Sequence, residues 1–264
     1  MLICRFAAGD DIWFGALDGL SDHDEITEDT IVAPIEGHPF VEIRPEGSVL
    51  KAADVRLLAP VLPSKVVCVG KNYRAHAAEM GGEAPEEPLL FAKPSTAVIG
   101  PGDPIDLPWQ SERVEHEGEL AIVIGRMCKD VPLERVADVI FGYTCANDVT
   151  ARDLQASDGQ WFRAKGFDTF CPLGPWIQTE LHPADADITV TVNGDTRQHS
   201  GIDAMVHDVH SLVSYVSSCM TLLPGDVILT GTPDGVGPIK SGDSVSVHIS
   251  GIGTLTNPVR SETP

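Results

Sequence analysis

Positive charge is scarce in this chain. Eighteen Lys+Arg stand against 39 Asp+Glu, a formal net charge of −21 over 264 residues. Such a surface repels phosphate backbones and anionic lipid, so neither nucleic acid nor a membrane is expected as a partner. It also disfavours a small anionic substrate, unless a local positive centre lies inside. Long apolar runs are missing too: none approaches the ~20 residues that span a bilayer. The opening MLICRFAAGDDIWFG is interrupted by Arg5, Asp10 and Asp11 and does not read as a signal peptide. The six cysteines (Cys4, Cys68, Cys128, Cys145, Cys171, Cys219) form no C-x-x-C pair. They read as small core residues in a reducing compartment, and a cytoplasmic location is expected.

What is plentiful is turn chemistry. With 25 Gly and 20 Pro among short β-type runs, the composition predicts a loop-rich α+β chain dominated by strands. Residues 1–60 read as a small N-terminal β module: LICRFA and IWFGAL flank a turn at AGDD, and FVEIRP and VRLLAP follow as short strands. The Pro-containing link APVLPSK then leads into the buried-type strand VVCVG, so 61–264 is read as the larger domain. Asn193-Gly194 within ITVTVNGDTRQ is a strong hairpin signal. Met205, Val206, Val209, Leu212, Val213 and Val216 keep helical spacing, with Asp203 as the expected N-cap.

The stretch VEHEGELAIVIG (Val114–Gly125) carries the first chemical signal. Alternation puts Glu115, Glu117 and Glu119 on one face of a strand that then turns wholly apolar, as a strand buried on both sides does. Carboxylates at the mouth of such a strand need a cation. In NDVTARDLQ, a short helix is expected to begin at Asp148, which puts Asp148, Arg152 and Gln155 on one helical face. An N-cap for Asp148 and a salt bridge from Arg152 back to it are the plain structural alternatives. Together with Glu117 and Glu119, Asp148 offers a third oxygen ligand, and three carboxylates suit a hard ion such as Mg²⁺ or Mn²⁺. Zinc would call for His or Cys, and no H-E-x-x-H motif occurs. Lys165, in RAKGFDTFCPLGPW, has Trp161, Phe162, Phe167 and Phe170 nearby in sequence, and Lys93, in FAKPST, has a similar setting. His76 and Glu79, three apart on a short helix in GKNYRAHAAEMGG, have the spacing that lets a carboxylate orient an imidazole. The acidic loop GGEAPEEP behind them suits a lid hinged at Gly81 and Gly82.

These motifs, with LLFAKPST and ILTGTPDGVGPI, occur in an order and at spacings that resemble the fumarylacetoacetate hydrolase family over roughly residues 61–250. The likeness is nearest to its short members: acylpyruvate hydrolases, oxaloacetate decarboxylases and hydroxyhepta-dienedioate isomerases. It implies a mixed β-sheet roll with short helices, assembled as a homodimer. It implies Glu117, Glu119 and Asp148 as ligands of Mg²⁺ or Mn²⁺, with Glu115 left as a neighbour. Lys165 and the His76–Glu79 dyad would be catalytic, and Lys93, Arg152, Gln155 and Thr232 would line the substrate pocket. A further aspartate ligand of the long animal-type hydrolase has no counterpart here.

The residues and the resemblance converge on one chemistry. A 2-oxo acid chelates a divalent ion through its carboxylate and 2-keto oxygen. Such an ion stabilises the enolate formed when the neighbouring carbon loses CO₂, an acyl group or a proton. The expectation is therefore an enzyme that cleaves a C–C bond in a small anionic 2-oxo acid, by oxaloacetate decarboxylation or by acylpyruvate (fumarylpyruvate-type) hydrolysis, giving pyruvate. The alternatives are isomerisation of an unsaturated 2-oxo dienedioate and, outside enzymology, a catalytically silent scaffold.

Overall fold

A computed structural model describes residues 1–21 and 23–261. Its largest sheet is mixed and twelve-stranded. Along its main path run the strands Leu50–Lys51, Ile31–Ile35, Asp11–Asp18, Leu2–Ala8, Cys171–Gln178, Ile140–Asn147, Gly118–Ile124, Val227–Leu229, Val66–Gly70 and Leu89–Lys93. The N-terminal hairpin joins it through Leu2 and Ile3, paired with Gln178 and Ile177, so the sheet is continuous across residue 60. Strand Val227–Leu229 runs parallel to Val66–Gly70. Just ahead of that pair, the buried Asp226 accepts from Ser64 (2.6 Å) and pairs with Lys65, tying the two strand starts together.

A five-stranded sheet built on Asp187–Val192 and Ser244–Ile249 packs across the middle of the large one. Leu120 and Ile122 from one sheet and Val190, Val245 and Val247 from the other share a single core cluster. All seven residues of Gly118–Ile124 are buried, as the apolar run predicts. Fully burying each of its large aliphatic side chains contributes about 1.5–3 kcal/mol. The Asn193-Gly194 turn forms as expected, with φ of 54° and 84°, both in the left-handed region that type I′ hairpins require.

Two expectations are corrected. FVEIRP makes only an isolated bridge, Pro45 to Ile35, and the third strand of the N-terminal module is Ile31–Ile35 instead. Pro34 inside that strand disguises it, because a proline demotes an apolar run in a sequence reading. The helix expected after Asp203 spans Val209–Cys219 and is capped by Asp208, whose carboxylate accepts from the Ser211 backbone N–H at 2.7 Å. Asp203 lies in a short 3₁₀ turn, Ile202–Ala204, so the apolar periodicity is sound and its start lies one turn later.

Candidate active site

The carboxylate row begins with a break. Val114–His116 and Gly118–Ile124 are separate strands with Glu117 between them. The Glu117 N–H donates to Asn147 Oδ1 (2.9 Å), and its carbonyl accepts from the Asp148 N–H (2.8 Å). Those bonds bring the ends of two strands together, and with them Glu117, Glu119 and Asp148, whose ligand atoms all lie within 4.8 Å of one another. Gly118 is required there. A Cβ at that position would stand 2.2 Å from Val190 Cγ2 of the facing sheet, so any side chain would displace the segment that carries both glutamates.

Asp148 does not start a helix. It sits between the strands Ile140–Asn147 and Thr150–Ala151, and the helix is Arg152–Asp158. Arg152 accordingly does not pair with Asp148. Its Nε donates to Glu115 Oε2 (2.6 Å), its Nη2 to Glu117 Oε1 (2.5 Å) and its Nη1 to Gln155 Oε1 (2.7 Å). Arg152 is thus the cation that lets Glu115 and Glu117 lie side by side, with Arg113 also on Glu115. Asp148 and Glu117 share Lys165, whose Nζ lies 2.7 Å from Asp148 Oδ2 and 2.8 Å from Glu117 Oε2. Burial alone would push Lys165 towards neutrality, but Asp148 and Glu117 outweigh it and raise its pKa, so it stays an ammonium. Burial likewise pushes Glu117 up, and Lys165, Arg152 and His76 overcome it to hold the group well below the ordinary carboxylate range.

Glu119 is different. No cation pairs with it among the described residues; its Oε2 accepts only the Gly231 N–H, at 2.6 Å. Burial, then Asp148 and Glu117, raise its pKa well above the usual value. Asp148 Oδ1 is also short of a partner. Lys93 Nζ lies 2.8 Å away, but its protons are directed to the carbonyls of Lys165 (2.6 Å), Phe170 (2.7 Å) and Val149 (3.0 Å). The contact is therefore coulombic, and Oδ1 is a buried oxygen without a hydrogen bond. A buried acid with no cation, beside a buried oxygen with no donor, is what a hard divalent ion satisfies. The three carboxylates fit Mg²⁺ or Mn²⁺.

These groups open onto a cavity of about 340 Å³. Arg152, Gln155, Lys165, His76 and Thr232 line it. Thr232 takes part mainly as a brace: its hydroxyl donates to Gly118 O and accepts from Gln198 Nε2, both at 2.8 Å. Lys93 does not line the cavity; it stands behind Asp148, only 1% exposed, and fixes that carboxylate from the rear. The aromatic that covers Lys165 is Phe91, 5.1 Å from Nζ to the ring centroid, whereas Phe162 is exposed and Phe170 faces Lys93. Sequence proximity misses Phe91 because it arrives from strand Leu89–Lys93. Lys71, Met80 and Trp161 also line the cavity.

His76 and Glu79 meet on the helix Arg74–Glu79, with His76 Nδ1 3.3 Å from Glu79 Oε2. The Glu79 carboxylate also accepts from the Gly235 N–H, which ties the helix to the loop that follows Thr232. Where Nδ1 donates to Glu79, Nε2 is the ring nitrogen left to face the cavity as an acceptor.

Comparison with known proteins identifies the family. Residues 65–260 match the model for the fumarylacetoacetate (FAA) hydrolase C-terminal domain, and residues 1–60 match the Rv2993c-like N-terminal model. The chain belongs to the fumarylacetoacetate hydrolase family. It is 57% identical over 263 residues to Protein Rv2993c of Mycobacterium tuberculosis, covering 98% of each chain. It is 42% identical over 224 residues to a mitochondrial oxaloacetate tautomerase of Xenopus laevis, covering 80% of this chain and 70% of that one. Among solved structures it is similar to the 5-carboxymethyl-2-hydroxymuconate delta-isomerase of Mycobacterium smegmatis, with 54% identity, 99% and 100% coverage and a TM-score of 0.92. It is also similar to a Sphingobium maleylpyruvate hydrolase in complex with manganese(II) and pyruvate, with 32% identity, full coverage of both chains and a TM-score of 0.80. Like these relatives it is a fumarylacetoacetate hydrolase family enzyme. None of its described helices is long and apolar enough to cross a membrane.

Proposed function

We propose that the protein is a divalent-metal-dependent enzyme that cleaves a C–C bond in a small 2-oxo acid of the acylpyruvate or oxaloacetate type, releasing pyruvate. The observation that carries this reading is the convergence of Glu117, Glu119, Asp148, whose Oδ1 has no hydrogen-bond donor, and Lys165 beside the His76–Glu79 pair. A divalent ion held by Glu117, Glu119 and Asp148 would act as a Lewis acid towards the 2-oxo carboxylate end of the substrate. Lys165 supplies a buried positive charge where an enolate oxygen or a departing carboxylate develops. Phe91 and Trp161 wall the site and keep its dielectric low. In hydrolysis, His76 Nε2 removes a proton from water as the oxygen attacks the 4-keto carbon, and Glu79 steadies the resulting imidazolium. The C3–C4 bond then breaks, its electron pair passes to the pyruvate enolate, and C3 takes up a proton. Decarboxylation uses the same enolate without water attack, so it leans less on His76.

A second reading is favoured by the isomerase and tautomerase relatives. There His76 would relocate a proton on the substrate and no C–C bond would break. One assay separates them. The protein is incubated with acetylpyruvate and with oxaloacetate, each with Mn²⁺ and with EDTA, while pyruvate and ultraviolet absorbance are followed together. EDTA-sensitive pyruvate well above the metal-only blank supports cleavage and names the branch. An absorbance change without pyruvate selects isomerisation. No EDTA-sensitive change on any 2-oxo acid would sink both.

A further inference from the structure

The cavity holds one cation that this chemistry does not use. Of the positive side chains lining it, Arg152 is committed to Glu115, Glu117 and Gln155, and Lys165 to Glu117 and Asp148. Lys71 lines the same cavity and makes no ion pair among the described residues, although Glu83, Glu86 and Glu87 follow closely in the chain. Its ammonium lies beside Gly82: a Cβ added there would stand 3.2 Å from Lys71 Nζ.

The backbone presents this side chain under strain. Lys71 has φ of 58°, a left-handed conformation in which glycine is the unstrained choice. The next residue forces it. Asn72 Nδ2 donates to Thr230 O (2.7 Å) and His207 O (3.0 Å), and Asn72 Oδ1 accepts from the His207 N–H (2.8 Å). Gly70, on the other side, is packed so closely that a Cβ there would meet Trp161 at 2.8 Å. The turn is thus fixed from both flanks, and the strained position between them carries a lysine that reaches the cavity. Strain of this kind at a site wall is a reason to look for a task.

We infer that Lys71 is a specificity-determining residue that pairs with a second carboxylate, at the end of the substrate remote from the 2-oxo acid group. The inference rests on the 2-oxo acid reading above and goes beyond it: the preferred substrates are dianions, and the cavity wall beside Gly82 is where their second charge is read. Four cations (Arg113, Arg152, Lys165, Lys93) equal in number the four carboxylates around the site (Glu115, Glu117, Asp148 and the unpaired Glu119). A divalent ion and Lys71 add three positive charges, the Glu79 carboxylate beside His76 offsets one, and the two that remain are neutralised by a dicarboxylate and not by a monocarboxylate.

The test is calorimetric titration of the full-length protein, in excess Mg²⁺, with 2-oxoglutarate and with 2-oxopentanoate, which differ only in the terminal carboxylate. Wild type is expected to bind 2-oxoglutarate at least about tenfold more tightly, the order of one charge-assisted hydrogen bond. Lys71→Met should erase the preference by weakening 2-oxoglutarate alone, and Lys71→Arg should retain most of it. Lys71→Gly relaxes the left-handed turn and should melt no lower than wild type, so its loss of preference cannot be ascribed to misfolding. A wild type without preference, or a Lys71→Met protein that keeps it, overturns the inference while leaving the 2-oxo acid site in place. Binding of neither ligand would reject both.

Discussion

Glu119 is the residue at which the cost of building this site is concentrated. It is buried, has one backbone donor and no cation partner among the described residues, and faces Asp148 and Glu117. Without a divalent ion it holds its proton far above the pH at which an unfolded glutamate loses it. The sign follows. Between the ordinary glutamate pKa of 4.5 and that raised value, the folded chain binds a proton that the unfolded chain does not. This contribution to metal-free stability is complete below pH 4.5 and is lost as pH rises towards the folded pKa. Glu119→Gln should therefore raise the metal-free Tm at neutral pH, by about 2–4 °C for each kcal/mol recovered. The same variant should lose most of the stabilisation that Mg²⁺ or Mn²⁺ confers, which for wild type at a hundredfold excess over Kd is about 2.7 kcal/mol. Calorimetric melting of both proteins with and without metal checks both signs, and a Gln variant that is less stable yet still metal-stabilised would contradict the assignment. Metal binding should also release a proton from Glu119 and weaken as pH falls, which titration in buffers of different ionisation enthalpy would reveal. At Lys165 the expectation is simpler. Lys165→Met strands Glu117 and Asp148 without their shared ammonium, and breaking a buried pair from one side costs about 3–5 kcal/mol. Its metal-free Tm should fall accordingly, and added Mn²⁺ should restore part of it without restoring turnover.

Two elements aim these residues, and they differ in how far the sequence reveals them. The strand Gly118–Ile124 is legible, because seven consecutive buried positions leave an apolar run with few other readings. Its glycine is less so: a Cβ on Gly118 would stand 2.2 Å from Val190 Cγ2, more than sixty residues away, and no local pattern records that crowding. Gly118→Ala should cost about 1–3 kcal/mol by overpacking and should weaken metal binding too, since Glu117 and Glu119 flank it. Urea melts and a metal titration on that variant check the two together. The three carboxylates, Lys165 and the His76–Glu79 pair are readable as motifs. What they touch is not, because Phe91, Asn147 and Gly231 approach from other strands. Helix starts mislead for the same reason. Asp148 and Asp203 both look like caps, but a cap is decided by the local φ and ψ, and in this chain those are set by strand ends and by a 3₁₀ turn. Helix Arg74–Glu79 supplies the test of catalysis at this scale. His76→Asn should lower kcat for acylpyruvate hydrolysis by about 10²–10⁴, the usual worth of a positioned base, and affect oxaloacetate decarboxylation far less. Equal losses on both substrates would assign His76 to positioning rather than to water activation.

The whole molecule sets a conflict between its outside and its inside. Its formal net charge of −21 repels a dicarboxylate from every direction, while Lys71, Arg152 and Lys165 face the approaching ligand at the cavity. Range decides which field governs encounter. Screening lengths are about 30 Å at 0.01 M salt and about 8 Å at 0.15 M. At low salt a substrate still far from the cavity feels the entire acidic surface, and at physiological salt only the groups nearest to it. Raising salt therefore removes the distant repulsion first and leaves the close attraction largely intact. With metal held saturating, kcat/KM for a dianionic substrate should rise several-fold from 0.01 to 0.15 M KCl, against the usual fall for oppositely charged partners. A monoanionic substrate should show roughly half the slope on a logarithmic scale, since the long-range term scales with ligand charge. Stopped-flow or initial-rate measurements at substrate concentrations well below KM would read this directly, with kcat as the control that should not move. A fall in kcat/KM with salt would mean that the cavity's own field reaches past the acidic surface, and that encounter is steered rather than resisted.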